Sequence, residues 1–294
     1  MIYTQLRSFH AVAREGGFTA ASRVLNISQP TLTTQVKSLE KYFGVTLFHR
    51  RGRKIELTGT GQELFKLSRR IMSLEADAQD LLNAHGGFHA GRLKVGAVGP
   101  YHATEMLGAF SVQYPDIKVS VAVGNSKVTV ERLLDYAVDV AVLAHTEDDP
   151  RVFAIPYSKH PVVIFVHKDH PFANKHHIRI RELDGERLVL REEGSTTRRA
   201  FEKAISDAGI SMNVAMEIGS REAVWLAVAQ GIGISFVSDI EFIPHENLRA
   251  IPIIDCDIHT TAHVACLTER RDSRLIGAFL DVAKNTITSR PAAP

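Results

Sequence analysis

Apolar positions in the first sixty residues recur at helical spacing in two short runs that meet at a tight turn. Ala21 and Leu25 stand four apart on one face of a short helix, with Thr19 read as its N-cap. Asn26, which tolerates a left-handed backbone, ends that helix, and Ile27 plugs the turn. Ser28 caps a second helix that carries Pro30 in its first turn, where a missing N–H costs nothing. Leu32, Val36, Leu39 and Phe43 then mark its core-facing side. Past residue 58 the spacing alternates threes and fours through Leu64, Leu67, Ile71, Leu74, Ala78 and Leu81, a heptad seam that Gly86 and Gly87 end. So narrow an apolar stripe on so long a helix calls for a partner helix.

From residue 92 onward, short apolar strands alternate with helices. Strands are expected at 93–98, 118–123 and 138–143, separated by helices at 104–114 and 127–137. A second unit of the same kind follows, with strands at 162–166, 188–190, 214–218 and 232–237 and helices at 197–208 and 222–230. The run 263–267 returns the chain to the first unit, which the helix 274–284 completes. This alternation is the signature of an α/β fold with right-handed crossovers and a mostly parallel sheet.

The exposed side of the helix that opens at Ser28 changes the picture from packing to chemistry. Gln29, Pro30, Thr31, Thr33, Thr34, Gln35 and Lys37 are short or hydrogen-bonding, as a helix entering a DNA major groove requires. A hairpin follows, with strand alternation around Ile55 and Leu57 and Gly52 in its turn. Arg50, Arg51, Arg53 and Lys54 crowd its tip, as a wing lying on phosphates would need. Residues 1–58 hold 9 Lys and Arg against 3 Asp and Glu, a net of +6 in a chain of +2, so the remainder carries −4. A basic head on a mildly acidic body favours a nucleic-acid module.

The run Phe18-Thr19-x-Ala21, Leu25, Ser28-Gln29-Pro30, Gln35, Leu39-Glu40, Gly44, Leu47-Phe48-x-Arg50, Leu57-Thr58 and Gly61 resembles the winged helix-turn-helix of LysR-type transcriptional regulators. Three positions depart from the family pattern. Ser22 replaces a second Ala, Thr34 stands where many members carry Arg, and Gly59 weakens the start of the next helix. The resemblance implies a winged helix-turn-helix at 1–58, a dimerising linker helix at 59–88 and an effector domain at 89–294. That last part resembles the type II periplasmic-binding-protein fold, with half-domain I at 92–161 and 266–290 and half-domain II at 162–265. It also implies a homodimer or homotetramer on a pseudo-palindromic double-stranded operator, contact with RNA polymerase if the protein activates, and a small effector as switch.

In open α/β sheets, ligands sit beyond the carboxyl ends of strands, where helix N-termini present free N–H groups. Three segments fall at such turns: Gly99-Pro100-Tyr101-His102, Asn125-Ser126 behind Gly124, and Ser195-Thr196-Thr197-Arg198. His145, Ser220 and Arg221 are expected as neighbours across the cleft. Hydroxyls, amides and a guanidinium together suit a carboxylate, phosphate, phosphonate or sulfate. The wording around Gly99, Gly124 and Ala144 also resembles a LysR subgroup associated with aminophosphonate catabolism.

Other chemistries find less support. His160, His167, His170, His176 and His177 crowd one stretch without metal-ligand spacing, so no metal or other cofactor is expected. Ser195 lacks a nucleophile elbow and an identifiable base, so no enzyme is expected. Cys256 and Cys266 read as ordinary thiols of a reducing cytoplasm. Neither a secretory leader nor a membrane span is expected. The alternatives are an architectural DNA-binding protein without sequence preference, and a small-molecule-binding protein or enzyme that uses the same cleft.

Overall fold

The computed structural model describes residues 2–51, 54–83, 91–145 and 148–288. The chain divides into two compact units, described separately. In the first, α1 (Ile2–Glu15), α2 (Phe18–Leu25) and α3 (Gln29–Phe43) precede a hairpin of β1 (Phe48–Arg51) and β2 (Lys54–Leu57), and α4 (Gly59–Asn83) follows. Asn26 closes α2 in the left-handed region at φ 54°, and Ser28 caps α3 by accepting a hydrogen bond from the Thr31 amide at 3.2 Å. The cap of α2 falls at Gly17 rather than Thr19, because the helix begins two residues earlier than expected.

The core of this unit is Phe9, Ala21, Leu32, Val36, Leu39 and Leu47 with their neighbours. Phe43, expected inside, lies 54% exposed against Tyr42, one turn beyond the point where α1 covers α3. Gly61 is required where it stands: a Cβ there would come within 2.2 Å of the Leu47 carbonyl oxygen, so α4 packs backbone-to-backbone on the wing. On the seam of α4, Leu64 is half-buried against its own core. Leu67, Ile71 and Leu74 remain 60, 38 and 48% exposed, and Ala78 is exposed too. The side chain of Leu81, and Gly86 and Gly87 altogether, lie outside the described residues.

The second unit runs β3 (Gly91–Ala97), α5 (Pro100–Gln113), β4 (Ile117–Val123), α6 (Ser126–Leu134), β5 (Val140–Leu143) and β6 (Val152–His167). It continues with β7 (Arg187–Arg191), α7 (Thr196–Asp207), β8 (Asn213–Ile218), α8 (Arg221–Ala229), β9 (Ser235–Ser238), β10 (Leu248–Pro252), β11 (His259–Leu267) and α9 (Arg274–Thr288). Among the described residues, the strands that pair in parallel are β3 with β4, β3 with β5, and β7 with β8, and single parallel bridges join Ile178 to Ile253 and Leu188 to Ile234. Where the pattern predicted a mostly parallel sheet, the long strands β6 and β11 run antiparallel to each other and to β5, β9 and β10.

Each half-domain has its own core. Phe110, Phe279, Met106 and Leu93 lie in one, and Phe201, stacked on Phe236 at 3.8 Å, in the other. A buried ion pair, Arg270 to Asp139 at 2.9 Å, ties the turn after β11 to the start of β5.

Candidate nucleic-acid interface and ligand cleft

Of the residues proposed to face DNA, Gln29, Pro30, Thr31, Thr34 and Lys37 lie exposed on α3. Thr33 and Gln35 are half-buried, and the Gln35 carbonyl accepts the hydroxyl hydrogen of Ser8 on α1, so its amide braces two helices. Glu40 accepts amide hydrogen bonds from Leu47 and Phe48, at 2.8 and 3.4 Å, which fixes the wing on the end of α3. The expected hairpin forms, pairing Phe48 with Leu57 and Arg51 with Lys54. The side chains of Arg50, Arg51 and Lys54, and all of Arg53, lie outside the described residues.

In the second unit, the first turns of α5, α6, α7 and α8 converge on one cleft. Half-domain I contributes Gly99, His102, Asn125 and Ser126; half-domain II contributes Arg191, Ser195, Thr196, Thr197, Arg221 and Glu241. Ser195 caps α7 through the Arg198 amide at 3.4 Å, and Ser220 caps α8 through the Ala223 amide at 3.3 Å. Four aligned helix starts concentrate partial positive charge and unpaired N–H groups on a small volume. The cavity volume of this cleft is about 30 Å³. Direct contacts between the half-domains hold it narrow. Thr196 Oγ1 donates to Ser126 Oγ at 2.7 Å, and Asn125 Nδ2 donates to Glu192 at 3.2 Å.

Several expected residues stand elsewhere. The Arg198 guanidinium is committed to Glu202 at 2.6 Å, Glu217 at 2.8 Å and the Arg191 carbonyl at 2.6 Å, and does not line the cleft. Burial works to lower the pKa of Arg198, yet those two carboxylates raise it on balance. Arg191, at the carboxyl end of β7, takes the position expected of Arg198. It grips Glu192 in a fork, Nε at 2.7 Å and Nη2 at 2.8 Å. Burial alone would raise the Glu192 carboxyl, but this fork outweighs it and holds the group below its usual range.

Pro100 and Tyr101 fall in the first turn of α5, since Pro100 starts the helix four residues before the expected Thr104; neither lines the cleft, though Tyr101 lies close enough to feel the charges of Arg221 and Glu241. Ser220 stays at its cap. His145 lines an adjoining groove of about 520 Å³, which shares Ser126 and Leu143 with the cleft and runs on past Val130, Leu134 and Gly194. Arg191 and Glu241 were missed by sequence reasoning. Arg191 directly follows a buried strand and so stands where ligands bind in such sheets; no comparable signal marks Glu241.

Glu241 sits deep in the cleft, 8% exposed, with its carboxylate 3.1 Å from Arg221 Nη2. Its pKa is raised because burial outweighs the pull of Arg221, Arg191 and His160. Among the described residues no group of three or more His, Cys, Asp or Glu is placed to hold a metal, and no helix is long and apolar enough to cross a membrane.

Comparison with known proteins agrees with this arrangement. Residues 3–62 match the model of bacterial regulatory helix-turn-helix proteins of the lysR family, and residues 86–287 match the LysR substrate binding domain. The chain belongs to the LysR family of transcriptional regulators. This LysR-type regulator is 36% identical to the HTH-type transcriptional activator CmpR of Synechocystis, over 80% of its own chain and 78% of CmpR. It is 34% identical to a RuBisCO operon transcriptional regulator of Allochromatium vinosum, over 94% and 93% of the two chains. Among solved structures, the regulatory domain of Synechocystis CcmR in complex with 2-PG is 29% identical. It superposes with a TM-score of 0.63 over 69% of this regulator and all of that domain. The relatives are transcriptional regulators rather than enzymes.

Proposed function

We propose that this LysR-type regulator reads a two-fold-related DNA operator through the exposed side of α3 and is switched by a small anion in the cleft of its effector domain. The observation that carries the second half is the convergence of Arg191 and Arg221 with the hydroxyls of Ser195, Thr196 and Thr197 at the head of α7. Two guanidinium forks and a helix start together recognise a carboxylate or a phosphate-like group. An anion replaces contacts that now run between the half-domains, so it acts as a switch only by binding one arrangement of the half-domains more tightly than the other. Gln29, Thr31 and Thr34 are the base-reading candidates, with Lys37 and the wing arginines on phosphates. The protein works in the cytoplasm as a homodimer or a higher assembly, and meets RNA polymerase if it activates.

The CcmR domain was solved with 2-PG. That compound therefore heads the panel of effectors to test, followed by 2-aminoethylphosphonate for the phosphonate reading and succinate as a plain carboxylate. Titration calorimetry on the full-length protein, paired with footprinting of genomic fragments it selects, is expected to give one saturable ligand that alters the protected dyad. Failure of every anion on the panel, with a ligand of another class altering the footprint, overturns the anionic reading. Binding to DNA without any preferred fragment, with or without ligand, overturns the operator reading.

A further inference from the structure

An anion-binding cleft that already contains a buried carboxylate on one of its arginines poses a physical problem. Glu241 Oε2 lies 3.1 Å from Arg221 Nη2, and the packing around the pair is tight. A Cβ on Gly99 would come within 2.6 Å of Glu241 Oε1 and 2.7 Å of Arg221 Nη1, so the glycine leaves room for the ion pair. Arg221 also reaches across to the Val98 carbonyl at 3.5 Å. An incoming dianion that took Arg221 while Glu241 stayed ionised beside it would place like charges in contact at a buried position, where their repulsion is poorly screened.

Resting on the anionic reading above, we propose that Glu241 is an internal counter-ion occupying Arg221 in place of the effector, and that the effector displaces it while Glu241 takes a proton from solvent. The proton remains on the carboxyl, which thereby becomes a neutral donor able to hydrogen-bond the bound anion. Burial already holds the Glu241 pKa above its ordinary value, so losing Arg221 and gaining an anion both move it further the same way. Because the bound state holds the proton more tightly, anion affinity is highest below the free-state pKa, falls as the pH rises from the free-state to the bound-state pKa, and levels off above it.

The groups facing Glu241 from the surrounding elements are few. Arg221 and Glu222 come from α8, and Arg191 with Glu192 from the end of β7. Tyr101 and His102 come from α5, and His160 from β6. His160 is itself held by Asp239 at 3.2 Å, two residues before Glu241. The histidines are the rival source of any proton taken up, and the test must separate them from the acid.

The probe is inorganic sulfate, which stays dianionic from pH 5.5 to 8, so that any pH dependence belongs to the protein. Calorimetry on the full-length wild-type protein, in buffers of different ionisation enthalpy, is expected to show uptake of a sizeable fraction of one proton per sulfate. The affinity should fall several-fold as the pH rises across that range. Glu241→Gln is expected to bind sulfate several-fold more tightly at pH 8, with the pH slope flattened. Sulfate binding without proton uptake in the wild type overturns the proposal and needs no folded variant. Uptake that persists undiminished in a folded Glu241→Gln protein assigns the proton to the histidines and overturns it too. Absence of binding to both proteins, with the whole anion panel also failing, removes the anionic reading on which it rests.

Discussion

Arg191 and Arg198 stand seven positions apart, and the fold gives them opposite duties. Arg198 is spent on Glu202, Glu217 and a carbonyl oxygen, a purely structural knot on the outer side of α7. Arg191 lines the cleft. Arg191→Ala is therefore expected to abolish saturable binding of the anionic effector while leaving operator binding in its absence unchanged. Arg198→Ala should instead lower the melting temperature and leave ligand affinity within a few-fold. Calorimetry and thermal melts on the two variants distinguish these outcomes, and the reverse result would exchange the two roles. A second residue-scale expectation concerns Asp139. Its carboxylate pairs with Arg270, 5% exposed, and accepts the Lys94 amide at 2.8 Å. Removing one partner strands the other charge, so Asp139→Ala should cost about 3–5 kcal/mol of unfolding free energy in urea titrations.

At the scale of elements, α3 shows how far a single chain can be read. The turn chemistry of Asn26, Ser28 and Pro30 locates the helix to the residue, because each of those side chains is local in its effect. The same reading cannot divide the polar face. Gln29 and Gln35 look alike in sequence, yet Gln35 turns inward to Ser8, a partner twenty-seven positions away, while Gln29 stays exposed. Gln29→Ala should cost about 1–3 kcal/mol at the operator and nothing on unrelated DNA. Gln35→Ala should show mainly as a lowered melting temperature, and competition binding alongside thermal melts separates the two. Non-local pairing also explains what was illegible elsewhere. The first half of β6 and all of β10 are strands because β11 and β6 pair with them. Arg198 was misplaced for the same reason, since Glu217 reaches it from β8. Its i,i+4 partner Glu202 was visible as a warning. The first turn of α5 is legible in principle, since a proline directly after Gly99 marks a helix start, and the same segment also brings Gly99 and His102 to the cleft.

At the scale of the whole molecule, α4 leaves an apolar seam uncovered. Leu67, Ile71 and Leu74 are each more than a third exposed, spaced three and four apart, while Leu64 at the head of the seam is absorbed by the core beside it. Seams of this kind are buried between helices of two copies. One basic head gains little affinity from a single half-site, but two heads held by one dimer bind as a unit, since the second contact is made at high effective concentration. Replacing Leu67 and Ile71 together by Asp places four carboxylates in a two-copy seam and nothing into the cores of either unit. The double variant is expected to sediment as a smaller species, to keep the melting transition of its effector domain, and to bind effector with wild-type affinity. Its affinity for the full operator should fall at least a hundredfold, towards that of the wild type for an isolated half-site. Analytical ultracentrifugation with operator titration at fixed salt reads both quantities. A double variant that sediments as before and binds the operator undiminished would show that copies of the chain meet through some other face.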